Sequence, residues 1–159
     1  MGINKPPKNT KRDPGAYVAI PFFLIQSQAF RALSQPAVKM LLQVATQYSG
    51  RNNGRLVMCD KFLKPFGWSS KDTIHKCRKE LVEKGFLFQT RQGDANKSSW
   101  FALTWHSLDW VVGMDISNDK SFKRSAYKDW SGEIKNSSPP NGVVMAKNAS
   151  LAPRQTGTR

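Results

Sequence analysis

Lys71, Thr73, His75, Lys76 and Lys79 recur at steps of one to three residues, directly after Ser69 and Ser70. Ammonium, imidazole and hydroxyl groups so spaced can donate to phosphate oxygens by charge and to base edges by direct hydrogen bonding. They do not suggest catalysis. The chain has no Walker-type phosphate loop, no Gly-x-Gly-x-x-Gly run, no Gly-x-Ser-x-Gly elbow and no His-Glu-x-x-His pair. Cys59, Cys77, His75 and His106 lack zinc-ligand spacing. The 11 carboxylates form no cluster beside a histidine. A binding protein without metal or cofactor is expected, and not an enzyme.

The cations need a helix, and the sequence supplies its signals. Ser70 suits an N-cap, because its hydroxyl can accept from the free amides of the first turn. Gly85 suits the left-handed position just past a helix end. Between them Ile74, Cys77 and Leu81 form an apolar stripe. A helix over 70–84, buried on one side and cationic on the other, meets the demands of a major groove. A lysine-rich solvated surface helix has the same pattern, so its neighbours decide.

Upstream, Asp60 can cap a short helix over 61–66, with Phe62, Leu63 and Phe66 inward, although Pro65 removes an internal helix bond. Phe66-Gly67-Trp68 then turns the chain. Downstream, residues 86–92 and 98–105 are β-prone and joined by Gly93-Asp94-Ala95-Asn96-Lys97. Arg91 and Lys97 place cations on that hairpin, where phosphate contacts are common. Trp100, Phe101 and Trp105 fit a strand with a core side better than a base-stacking platform.

The remaining segments complete one domain. Tyr17-Val18-Ala19-Ile20 is β-prone, and a helical stretch over 22–33 should break near Ser27. Ser34 with Pro36 marks a helix start, and Val38, Leu41, Leu42, Ala45 and Tyr48 continue its stripe until Gly50. Residues 51–55 are a polar turn, 56–58 a short strand, and 106–110 a short helix closing the core.

Charge supports a polyanionic partner. With 25 Lys and Arg against 11 Asp and Glu the net charge is +14, and nucleic acid is the usual counterpart. Residues 1–15, 16–112 and 113–159 are each net positive, and no acid occurs between Pro14 and Cys59. No stretch has the length to span a bilayer or the pattern of an amphipathic membrane anchor, and the N-terminus has no signal-peptide core. No membrane partner and a cytoplasmic location are expected. Residues 1–15 should form a disordered basic arm, with Lys8, Lys11 and Arg12 able to reach DNA. Residues 113–159 should form a largely disordered basic tail, in which Trp130 and Val143-Val144-Met145 are candidate docking points for a protein partner; the alternative is an inert solubilising tail.

Residues 17–105 resemble the winged helix-turn-helix proteins of phages, plasmids and other mobile elements. In outline they are similar to the N-terminal domain of phage replication protein O. The likeness rests on Ala29-Phe30-Arg31-Ala32-Leu33-Ser34, Gly54-Arg55-Leu56, Gly67-Trp68-Ser69-Ser70-Lys71, the run from Lys79 to Leu87, and Leu103-Thr104-Trp105. It implies a winged-helix fold; with apolar residues concentrated between Ala16 and Val112 and polar segments on either side, an α+β winged-helix domain over 16–112 with disordered basic termini is expected. Ser70, Lys71, Thr73, His75, Lys76 and Lys79 then belong to the recognition helix, and Arg91 and Lys97 to the wing. The expected function is sequence-preferring binding of double-stranded DNA, as a transcriptional regulator in a bacterial or phage-infected bacterial cell. Two alternatives stand beside it: an origin-binding replication protein, and a protein-interaction module such as a phage-encoded inhibitor. A homodimer through the 34–49 helix or the N-terminal segment stays open, as do the DNA sequence recognised and the sign of regulation.

Overall fold

Two serines start the first helical layer. In the computed structural model, which describes residues 15–116 and 121–132, Ser27 and Ser34 have extended backbones. Ser27 Oγ accepts from the Phe30 amide at 3.1 Å and Ser34 Oγ from the Ala37 amide at 3.4 Å. The stretch after Pro21 therefore splits at Ser27, as expected, into α1 (Phe22–Gln26) and α2 (Gln28–Arg31). After Ser34 comes α3 (Gln35–Ala45), with Pro36 in its first turn. Its inward stripe is Ala37, Met40, Leu41, Val44 and Ala45. Leu42, expected on that stripe, lies about 100° past Leu41 on a helix and is exposed. Tyr48 falls beyond the helix end and stacks on His106 at 4.1 Å.

The second layer is a small sheet. β1 (Leu56–Val57), β2 (Leu87–Arg91) and β3 (Trp100–Leu103) pair antiparallel in the order β1-β3-β2. Between β1 and β2 lie α4 (Asp60–Leu63), a 3-10 turn (Lys64–Phe66) and α5 (Lys71–Glu83). Pro65 explains the short α4: without an amide to donate, the chain tightens into the 3-10 turn. Asp60 sits inside the first turn of α4 and does not cap it; the cap position is Cys59. Phe66 is 38% exposed, so of the three residues expected inward only Leu63 is fully buried and Phe62 half-buried. Residues 17–20 form no strand.

Strand register separates two sheet faces. Leu56 pairs with Phe101 and Leu87 with Leu103, and these four meet α3 and α5 in the core. Trp100, Ala102 and Phe88 occupy the reverse face by alternation. The chain after Trp105 returns across that face. Residues 106–110 are not helical; a turn is held there by Asn53, whose amide nitrogen donates to the carbonyls of Leu103 at 3.0 Å and Ser107 at 2.8 Å.

The core does not stop at Val112. The Asp115 amide donates to Thr90 O at 2.9 Å, and the rings of Phe88 and Phe122 meet edge to face at 5.5 Å. The Ser125 amide donates to Thr104 O at 2.7 Å. The next residues form another 3-10 turn (Ala126–Lys128), whose Tyr127 is 2% exposed and stacks on Phe86 at 5.4 Å. The chain passes so close over Gly85 that a Cβ there would lie 2.6 Å from the Ala126 carbonyl carbon. Residues 113–116 and 121–132 thus pack against the domain, which corrects the boundary expected after 112. The reason is an aromatic needed to close the core: Phe86 has no other stacked ring among the described residues. The class is α+β. Residues 1–14 and 133–159, including the expected arm and Val143-Val144-Met145, lie outside the described residues.

Candidate nucleic-acid interface

The turn before α5 is anchored on both sides. Gly67 adopts φ +84°, open to glycine without strain, and the Trp68 ring folds back onto α3. Its Nε1 donates to Gln43 Oε1 at 2.6 Å, and Lys39 Nζ lies 5.4 Å from the ring centroid. Ser70, not Ser69, caps α5: its Oγ accepts from the Thr73 amide at 3.2 Å and from Thr73 Oγ1 at 3.0 Å. Ser70 and Thr73 are therefore engaged in ordering the first turn, alongside any contact to a ligand.

Ile74, Cys77 and Leu81 are buried as the stripe predicts, which turns Lys71, His75, Lys76 and Lys79 outward. Burial, then the nearby Glu80 charge, pushes the Cys77 thiol above its ordinary range. The outward face is not purely cationic. Lys76 Nζ lies 2.7 Å from Asp72 Oδ2 and Lys79 Nζ 3.7 Å from Glu83 Oε1, each pair one helical turn apart. The Asp72 hydrogen bond and charge raise the Lys76 pKa. All four side chains are more than 60% exposed, so these pairs are weak and exchange readily for another anion. Lys71 has no carboxylate within ion-pair distance among the described residues.

The hairpin loop is tied together by Asp94. Asp94 Oδ1 accepts from the amides of Asn96 at 2.8 Å and Lys97 at 2.9 Å, and the Asn96 bond leads the causes that lower its pKa. Between this loop and α5 opens a polar cleft of about 290 Å³, lined by Arg78, Lys97, Asp94, Gln92, Ser98 and Cys59 among others. Arg78 Nη2 lies 3.4 Å from His75 Nδ1.

The two expected hairpin cations part company. Lys97 lines the cleft facing α5. Arg91 lies on the reverse face, with its guanidinium 4.5 Å from the Trp100 ring centroid. Arg55 meets the same ring at 5.1 Å. A register shift between Gln89 and Arg91 sets Arg91 opposite Trp100, and no sequence pattern marks such a bulge here. Arg78 and Arg55 are not among the site residues expected from the sequence. Arg78 stands three residues after His75, one helical turn along the same side, which is a usable sequence signal. Lys8, Lys11 and Arg12 lie outside the described residues.

Among the described residues, no group of three His, Cys, Asp or Glu could hold a metal ion, and no helix is long and apolar enough to cross a membrane. Compared with protein-family models, curated proteins and solved structures, the chain has no match.

Proposed function

We propose that this protein binds double-stranded DNA with sequence preference, using a winged helix-turn-helix arrangement in which α5 enters the major groove and the β2–β3 hairpin is the wing. One observation carries the reading: α5 buries Ile74, Cys77 and Leu81 while presenting Lys71, His75, Lys76 and Lys79, and the antiparallel hairpin follows it directly. Ser70 and Thr73 hold the first turn of the reading helix. Lys97 and Arg78 flank the cleft between helix and hairpin, where a phosphate would sit against two cations. Arg91, on the reverse face with Arg55, serves a neighbouring stretch of backbone. Lys8, Lys11 and Arg12 supply further charge from the N-terminal segment. A role in transcriptional regulation within the cytoplasm of a bacterial or phage-infected cell, or in marking a replication origin, fits this chemistry.

Selection of bound duplexes from a random pool tests the proposal. An enriched motif that disappears in His75→Ala or Lys76→Ala supports it; tight binding with no enrichment leaves only a nonspecific binder and overturns sequence preference. A second reading, a protein-interaction module on the same scaffold, is favoured by the Asp72–Lys76 and Glu83–Lys79 pairs, which take charge from the reading face. Absence of any duplex binding at low salt would favour it.

A further inference from the structure

α1 has only five residues, and a single turn can bury a single side chain. Leu24 takes that place, leaving Phe22, Phe23 and Ile25 at 80%, 73% and 44% exposure. Single exposed apolar residues are ordinary, but a run of bulky ones marks a contact surface. Beside them, α1, α2 and the Ala126–Lys128 turn enclose a cleft of about 360 Å³, lined by Phe23, Gln26, Gln28, Tyr127, Lys128 and Trp130. That volume is at the small end of ligand pockets.

Among the residues that line the cleft, the charged one is the cation Lys128. Lys128 Nζ lies 5.8 Å from the Phe23 ring centroid, and Arg31 Nη2 donates to Gln26 O at 3.1 Å. No Asp or Glu lines the cleft. Asp129, next in sequence to Lys128, pairs with Lys123 at 2.9 Å, and Glu80 with Ser34 and Lys84. A second copy of this chain would bring a net charge of +14 against these cations. Residues 133–159 carry one acid, Glu133, against Lys135, Lys147, Arg154 and Arg159, so that segment is also mismatched. A bilayer is flat, whereas this surface is concave and includes amide side chains able to hydrogen-bond a backbone.

We propose that the cleft docks an acidic protein segment carrying a bulky apolar side chain, which seats between Phe23 and Trp130 while its carboxylates meet Lys128 and Arg31. No residue of the cleft belongs to the cationic face of α5, so the proposal stands apart from DNA binding.

A displayed library of random dodecapeptides panned on the full chain tests it. Enriched peptides should combine Asp or Glu with Phe, Leu or Trp. A synthetic copy should bind, and Phe23→Ser and Lys128→Glu should each weaken it at least tenfold, with Phe66→Ser unchanged. Should Phe23→Ser disturb folding in a thermal melt, Lys128→Glu, at an exposed side chain, still decides. Four results would overturn the proposal. The first is no enrichment, or a consensus without acids; the second is binding indifferent to both substitutions. The third is stronger competition by phosphatidylglycerol vesicles than by peptide, which assigns the face to lipid. The fourth is a dimer in sedimentation equilibrium that Phe23→Ser dissociates, which assigns it to a second copy.

Discussion

Glu80 of α5 accepts both hydrogen bonds that Ser34 can give it, from the backbone amide at 2.8 Å and from Oγ at 2.6 Å. Ser34 is the N-cap of α3. One carboxylate thus joins the cap of α3 to the last turn of α5, and Lys84 Nζ approaches the same group at 3.3 Å. Burial opposes this charge, yet the Ser34 side-chain and backbone bonds and Lys84 outweigh it and hold the Glu80 pKa below its ordinary 4.5.

Glu80→Gln should therefore destabilise the domain by about 1.5–3 kcal/mol at neutral pH, the range for hydrogen bonds to a charged group. A carboxylate with a lowered folded-state pKa contributes fully above the unfolded value and loses that contribution as pH falls through the lowered one. Denaturant melts should show the wild-type advantage over Glu80→Gln constant from pH 7 to 5 and shrinking below about pH 4.5. An advantage independent of pH would show that the charge is not the cause.

Asn53 is fully buried and belongs to a polar turn. Its Oδ1 accepts from the Leu103 amide at 2.6 Å, its Nδ2 donates to Leu103 O and Ser107 O, and its backbone exchanges bonds with Asp109. Asn53→Ala leaves a buried β3 amide without a partner, a cost of roughly 3 kcal/mol. Chemical denaturation should show it, and Asn53→Asp should do no better, because it loses the two donated bonds.

Truncation separates the two halves of the C-terminal region. A chain ending at Val112 loses Tyr127 from the core and should melt at a markedly lower temperature or not cooperatively. A chain ending at Gly132 keeps the stack on Phe86 and should melt like the full protein. Tyr127→Ala should cost about 3–5 kcal/mol, as for other buried aromatics. Equal melts for the two truncations would refute this placement.

If α5 meets DNA as proposed, the carboxylates on its outward face should compete with that partner. Asp72→Asn with Glu83→Gln frees Lys76 and Lys79 and should tighten nonspecific duplex binding roughly threefold to tenfold at low salt. Lys97→Ala and Arg78→Ala should weaken all duplexes alike and flatten the log–log salt dependence by roughly 0.9 per lost phosphate contact. Titrations by fluorescence anisotropy at several salt concentrations measure both. Unchanged slopes would place phosphate elsewhere.

Local chemistry made α5, its Ser70 cap, the stop at Gly85, the break at Ser27, and the hairpin legible in the sequence. Each depends on residues within a few positions, so spacing alone carries the signal. The outward set Lys71, His75, Lys76 and Lys79 follows from the buried Ile74, Cys77 and Leu81 by helical geometry. Tertiary packing decided what lies farther apart. Asn53 looks like a solvent turn residue until strand β3 offers it 50-residue-distant partners. Arg91 turns away from Lys97 because a bulge changes which sheet face it occupies. Tyr127 belongs to the core although its neighbours are polar, since one aromatic ring over Phe86 outweighs the composition around it. Composition averages over a segment, whereas burial is settled one side chain at a time by what stands across from it.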